Sequence, residues 1–250
     1  MSFVSVSIDG GIATVLLTRG KVNSLIEAVI DELSDCFHEL SSNPQVKAVI
    51  LTGSGKFFSF GFDIPHFIDH SKEDFTRYLT KFTDFYTELF VFPKPVIAAL
   101  NGHTIAGGCM IATACDYRIM ATGKPRISLN EITFGSSVFA GSVDMLKACV
   151  GPQNAESILY SGGMYSAEQA LDLGLVHQVS SEENLLPDAK RVAENLANNS
   201  GRAFQSIKHL LRRPVAEEMK KKERQSILEF VDIWYSTGTR EQIQKVKIHS

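Results

Sequence analysis

The chain has 250 residues, 44% of them hydrophobic and 21% charged, with a formal net charge of -3. That length suits one large domain with a full core, and the slightly acidic balance gives no electrostatic case for a nucleic-acid partner. Four cysteines, Cys36, Cys109, Cys115 and Cys149, show neither paired nor CxxC spacing, so reduced thiols and a cytoplasmic setting are expected.

The opening MSFVSVSIDGG lacks the basic-then-apolar pattern of a signal peptide. Phe3–Ile8 and Ile12–Leu17 alternate about Asp9-Gly10-Gly11, which predicts a hairpin. Ile26, Val29, Ile30, Leu33, Phe37 and Leu40 recur at helical spacing, and Pro44 closes that helix. Ala48–Thr52 reads as a short strand and Gly53–Pro65 as a glycine- and phenylalanine-rich loop. Ser71 begins an aromatic-rich helix that runs to about Phe90. Val96–Leu100 and Tyr117–Ala121 read as strands, and Gly151-Pro152 as a helix stop. Ser166 starts a short helix that Gly174 ends, and Leu175–Val179 is the last expected strand. From about Leu185 the pattern is helical only. The basic run Lys220–Arg224 reads as a solvated helix face. No apolar run is long enough to span a membrane, and the ending Lys247–Ser250 is not the peroxisomal tripeptide address. Strands that alternate with helices before a helical tail indicate an α/β protein.

The stretch Ile105–Gly135 carries the most chemistry. A glycine pair, Gly107-Gly108, opens an apolar helix-like run, and one glutamate, Glu131, follows a strand later. Backbone N–H groups at a helix start can hold an oxyanion. A carboxylate among apolar residues has a raised pKa and is suited to moving protons. Together they suggest enolate chemistry next to a carbonyl. Plainer roles stand beside this one: Gly61 and Gly107 as residues of tight turns, Glu131 as a cap or a surface ion pair.

At these residues the chain resembles the crotonase (enoyl-CoA hydratase/isomerase) superfamily. The matching blocks are FSFGFDI at Phe58–Ile64, PKPVIAALNG at Pro93–Gly102, AGGC at Ala106–Cys109, CDYRI at Cys115–Ile119, NE at Asn130-Glu131 and SAEQALDLGLVHQV at Ser166–Val179. They occur in the family's order over nearly the whole chain. The resemblance implies a spiral of ββα units over residues 1–190 and a C-terminal helical region over 191–250 that packs in a homotrimer or a dimer of trimers. It implies an acyl-CoA thioester substrate, with coenzyme A part of the substrate and no separate cofactor. It puts the oxyanion hole at the N–H groups of Phe62 and Gly107 and the base at Glu131. It also lays the nucleotide along Lys21, Val22, Ser24, Ser59, Phe60 and Phe62, where Lys21 is either a phosphate contact or a solvated loop residue.

The departures from the family pattern narrow the reaction. Hydratases carry a second glutamate after the glycine pair, where this chain has Met110. Isomerases of dienoyl substrates add an acid where it has Phe139. A thioether cannot relay a proton. One base can still move a proton from C2 to C4, and VNSL at Val22–Leu25 and SLNE at Ser128–Glu131 look like the Δ3,Δ2-enoyl-CoA isomerase branch. The expected activity is therefore conversion of 3-enoyl-CoA to 2-enoyl-CoA. The alternatives are a hydratase, another enolate-forming enzyme such as a decarboxylase, dehalogenase or thioesterase, and a non-catalytic acyl-CoA-binding protein. Met110, Phe67, Phe82, Phe85 and Phe139 are candidates for the acyl pocket or for plain core. His103 either polarises substrate or bonds a loop carbonyl, and His66 is a lesser candidate base. Asp116 reads as a structural cap. No clustered His/Cys spacing suggests a metal site.

Overall fold

A computed structural model describes residues 2–245. Lys247–Ser250, and with them the last part of the expected helical region, lie outside the described residues. The N-terminal hairpin forms from β1 (Val4–Asp9) and β2 (Ile12–Leu17), with Asp9 opposite Ile12. Gly10 and Gly11, at φ 57° and 84°, make the two-residue turn between them. Next come α1 (Glu27–Ser42), β3 (Ala48–Gly53), β4 (Phe57–Ser59), α2 (Ile64–Phe67), α3 (Lys72–Phe90), β5 (Val96–Leu100) and β6 (His103–Ile105). The chain continues through α4 (Gly107–Ala114), β7 (Tyr117–Ala121), β8 (Ile127–Ser128), a 3-10 turn at Glu131–Phe134, α5 (Ala140–Ser161) and α6 (Ala167–Asp172). It ends with β9 (Gln178–Ser180), α7 (Leu185–Ala197), α8 (Gly201–Trp234) and α9 (Thr237–Ile243).

The strands form two sheets. A six-stranded sheet runs β1-β2-β3-β5-β7-β9, parallel from β2 onward, and a three-stranded parallel sheet runs β4-β6-β8. The large sheet's central strands β3 and β5 are buried on both faces and read as largely apolar runs, whereas edge strand β1 is exposed. Along β3, Val49 and Leu51 enter the main core with α1 and α3. Ala48 and Ile50 face the other way onto Leu185, Ala189 and Ala193 of α7. Helix α7 runs across residue 190 and covers that second face.

Two local expectations differ from what forms. The loop Gly53–Pro65 contains β4, which is too short to show periodicity and is held by pairing with β6. The helix stop expected at Gly151-Pro152 does form: Gly151, at φ 77° and ψ 163°, leaves the helical conformation, and a second helical stretch follows from Pro152 within α5. The last strand begins at Gln178 rather than Leu175, because Leu175 and Val176 are buried as core and do not pair.

One buried charge cluster fixes α8 to the sheet. Asp116 Oδ2 accepts hydrogen bonds from the backbone N–H of Val96 (2.8 Å) and from Lys208 Nζ (2.7 Å), and Arg212 lies 3.3 Å from its other oxygen. Arg212 also donates to the carbonyls of Phe90, Ala114 and Cys115. Lys208 is 4% exposed, and burial pulls its ammonium down to about 8. Asp116 is thus the structural cap the sequence suggested, and it is also the counter-ion of a buried lysine. Breaking a buried pair from one side is costly, whereas replacing it with apolar atoms is often neutral. Asp116→Ala is expected to lose about 3–5 kcal/mol in urea unfolding, and the double change Asp116→Ala with Lys208→Met to recover most of that loss.

Candidate active site

Two loop segments run side by side to build the floor of the site. Phe60 N–H donates to Val22 O (3.0 Å), Leu25 N–H to Gly61 O (2.8 Å) and Asp63 N–H to Leu25 O (3.2 Å). Asn23 sits at φ 48°, a conformation asparagine tolerates better than most residues. Its amide donates to the carbonyls of Ser54 (3.0 Å) and Phe57 (2.8 Å) and so ties the two segments together. Ser59 Oγ donates to Asn23 O (2.8 Å) and accepts from Gly61 N–H (3.1 Å). Ser24 Oγ donates to Asp63 Oδ2 (3.2 Å), and Arg19 pairs with the same carboxylate at 2.7 Å.

The N-terminus of α4 presses onto this floor. A Cβ on Gly61, whose φ is 88°, would lie 2.9 Å from Gly107 N, and a Cβ on Gly108 would lie 2.5 Å from Ser59 O. Only glycine permits both approaches. The chain enters α4 through Ala106, held at φ 49° and ψ -119°, with its N–H on Ser128 O (2.8 Å) and its carbonyl accepting from Met110 N–H (3.0 Å). The N–H groups of Phe62 and Gly107, one on each segment, have no acceptor among the described residues. Two such N–H groups meeting at a helix start are suited to an oxygen carrying negative charge.

Glu131 is delivered by the small sheet. Strand β8 ends at Ser128, and Glu131 opens the 3-10 turn that Gly135 closes at φ 75°. Its carboxyl is 4% exposed, and Oε2 has no hydrogen-bond partner among the described residues. Burial pushes its pKa up to about 8. It borders an apolar cavity of about 90 Å³ with Phe62, Ile105, Ala106 and Met110 on the α4 side. Phe134 and, from the end of α8, Phe230 and Trp234 form the far side, and Asn130, Phe60 and Ile64 complete the lining. Among the described residues on this wall, Glu131 supplies the one carboxylate.

The sequence candidates separate here. Glu131, Phe62, Phe60 and Met110 come together on the cavity, with Gly107 adjoining Phe62. Ser24 and Ser59 are buried, and their hydroxyls hold the loops to each other. Val22 contributes a loop carbonyl to the floor, and Lys21 is exposed beside it. Phe67, Phe82 and Phe139 do not line the cavity. They pack behind the Phe62 ring at centroid distances of 6.3, 4.9 and 6.2 Å, where they fix its position. Phe85 is farther off, against Phe37 at 5.9 Å. His103 stacks near Phe57 at 5.1 Å, away from the cavity, with its pKa lowered by burial, and His66 lies in α2. Phe134, Phe230 and Trp234 were not singled out by the sequence, and Ile64 and Asn130 appeared there only as members of matching blocks, without a role. The one available signal was the spacing of Ile227, Phe230, Val231 and Trp234, which marks a buried helix stripe.

Two backbone N–H groups beside a buried carboxyl are a combination suited to holding an oxyanion and moving a proton. Residues 7–247 match the family model described as enoyl-CoA hydratase/isomerase, and the chain belongs to that family, with its α/β crotonase fold of two sheets and a long C-terminal helical region. It is 35% identical to a mitochondrial enoyl-CoA hydratase of Pongo abelii over 76% of this chain; the match spans 64% of that protein's length, less than two thirds. It is 30% identical to a probable enoyl-CoA hydratase of Bacillus subtilis over 84% of this chain and 82% of that one. Among solved structures, human mitochondrial delta3-delta2-enoyl-CoA isomerase superposes with a TM-score of 0.92 at 27% identity, covering 97% of this chain and 96% of that one.

The raised pKa of Glu131 has a consequence for stability. A carboxyl that titrates at about 8 when folded and near the ordinary glutamate value of 4.5 when unfolded holds its proton more tightly in the folded state. Stability therefore falls as pH rises from about 4.5 to 8, by an amount on the order of 4 kcal/mol. Glu131→Gln is expected to melt at a higher temperature than the parent at pH 9, with the difference closing near pH 5. Equal melting temperatures at pH 9 would show that the carboxylate is solvated after all.

Proposed function

We propose that this protein converts 3-enoyl-CoA to 2-enoyl-CoA by one-base proton transfer. Glu131 removes a C2 proton, the N–H groups of Phe62 and Gly107 hold the enolate oxygen, and protonated Glu131 returns the proton at C4. The observation that carries this reading is a buried, unpaired carboxyl with a pKa of about 8, bordered where a hydratase has its second acid by the thioether of Met110. A group that must both take and return a proton works best with a pKa near the working pH. Hydration needs a water activated between two carboxylates, and this wall offers one. The likeness to an isomerase of the same fold supports the reading; the hydratase names of the curated relatives favour hydration as the second reading. The thioester would reach the site past the exposed Lys21, with the two loop segments handling its nucleotide end.

The test is conversion of 3-hexenoyl-CoA, followed as growth of the conjugated 2-enoyl thioester absorbance. Glu131→Gln is expected to lose a factor of about 10²–10⁴ or more, and 2-hexenoyl-CoA is expected to hydrate far more slowly than 3-hexenoyl-CoA isomerises. Faster hydration would transfer the assignment to a hydratase. The base must be ionised to act, so kcat/KM is expected to climb with pH and level off above about 8.

The same reading includes a trimer. Ile207, Leu210 and Leu211 on α8 are 58%, 76% and 70% exposed, an apolar face of the kind an assembly covers. Light scattering is expected to give three or six times the chain mass, and a monomer would end this part of the reading.

A further inference from the structure

The proposed reaction needs the Phe62 N–H aimed at one oxygen, and the backbone shows what sets that aim. Leu25 N–H donates to Gly61 O (2.8 Å) and Asp63 N–H to Leu25 O (3.2 Å), an isolated parallel bridge between Leu25 and Phe62. In a trans peptide the C=O and the N–H point in opposite directions. Holding Gly61 O on Leu25 therefore turns the Phe62 N–H to the other side, where it has no acceptor among the described residues. Leu25 and Phe62 belong to no strand, so no sheet ladder reinforces the bridge. Side chains supply the added constraint. Arg19 places one nitrogen on each segment: Nη2 pairs with Asp63 Oδ2 at 2.7 Å, and Nη1 donates to Ser24 O (3.2 Å) and to Ser24 Oγ. Ser24 Oγ donates in turn to the same Asp63 oxygen (3.2 Å). Asp63 Oδ1 accepts from the backbone N–H of His66 (3.3 Å), which fixes the turn that follows Phe62. The side chains of Arg19 and Asp63 are 23% and 15% exposed, and neither residue lines the cavity.

We propose that Arg19 and Asp63 are positioning residues: their ion pair locks the Gly61–Phe62 peptide and so aims the Phe62 N–H at the enolate oxygen, without touching substrate. The inference rests on the assignment of that N–H to the enolate oxygen. It deepens that reading by naming what holds the donor in place. A planar guanidinium that bonds in two directions sets geometry as well as attraction. Full charge reaches the oxygen only as the enolate forms, so a misaimed donor lowers the rate more than it weakens ground-state binding. A largely buried ion pair adds little net stability over its desolvation cost, and here its role is direction.

The test uses the full chain with 3-hexenoyl-CoA as substrate and unreactive [1-13C]hexanoyl-CoA as an infrared probe of the thioester carbonyl. Asp63→Asn and Arg19→Met are each expected to lower kcat about 10- to 10²-fold, with KM within about twofold of the parent. The double variant is expected to be no slower than the slower single one, because residues that act as a unit are not additive. Arg19→Lys, which keeps the charge without the fork, is expected to lie between Arg19→Met and the parent. The bound carbonyl stretch is expected below its free value in the parent and to move back toward it in Asp63→Asn. If that variant fails to fold, Arg19→Lys carries the infrared comparison. A rise in KM alone, as for a contact to the nucleotide phosphates, overturns the proposal. So do rate losses that multiply in the double variant, or a carbonyl stretch that the variants leave unmoved. A lowered stretch in a parent that turns nothing over defeats the isomerase reading alone, and the variants' infrared spectra then decide this one. A parent stretch equal to the free value defeats both.

Discussion

The site depends on two stretches of backbone that approach more closely than a side chain allows. Gly61 faces the first N–H of α4, and Gly108 lies on the carbonyl of Ser59, each at a separation that a methyl group would occupy. Contact at this distance leaves the N–H groups of Phe62 and Gly107 on one surface without acceptors. The supporting bonds lie outside the contact, in the Asn23 amide, the Ser59 hydroxyl and the strained Ala106 that turns the chain into α4. Strain of this kind persists only where surrounding structure holds it. Here the small three-stranded sheet supplies that support, since β4 and β6 lead into the two sides of the contact and β8 leads to Glu131.

The carboxyl beside this surface is held in a state that folding alone disfavours. Glu131 has neither a cation nor a second donor to stabilise its charge, and burial alone accounts for its raised pKa. A chain selected only for stability would place leucine or glutamine there. The contrast with Asp116 shows what a structural acid looks like in the same molecule. Asp116 has a lysine, an arginine and a backbone N–H around it, and burial pulls down the ammonium of its partner Lys208. Both are buried acids, and their surroundings separate the one that fixes structure from the one suited to moving protons.

The parts legible in the sequence were those set by local backbone rules or by strong periodicity. The hairpin glycines, the capped helix at Ser71 and the apolar parallel strands follow from short-range preferences, and the glycine pair and Glu131 followed from motif order. The far wall of the cavity was not legible. A buried aromatic residue announces that it packs, but its neighbour is decided by topology. Phe67, Phe82 and Phe139 therefore support Phe62 from behind, while Phe230 and Trp234, distant in sequence, face the cavity. Short strand β4 escaped for a related reason: it is fixed by pairing with β6, not by its own residues.

Helix α8 joins these regions, from Lys208 and Arg212 at the sheet to Trp234 at the cavity. This arrangement sets an order of events during synthesis. The sheet, the glycine contact and Glu131 all emerge from the ribosome before any of α8 does. Until the last part of the chain is released, the carboxyl lies in an open, wetted groove, where its proton affinity should be that of an ordinary glutamate. The protein thus acquires its unusual acid only when its final long helix docks.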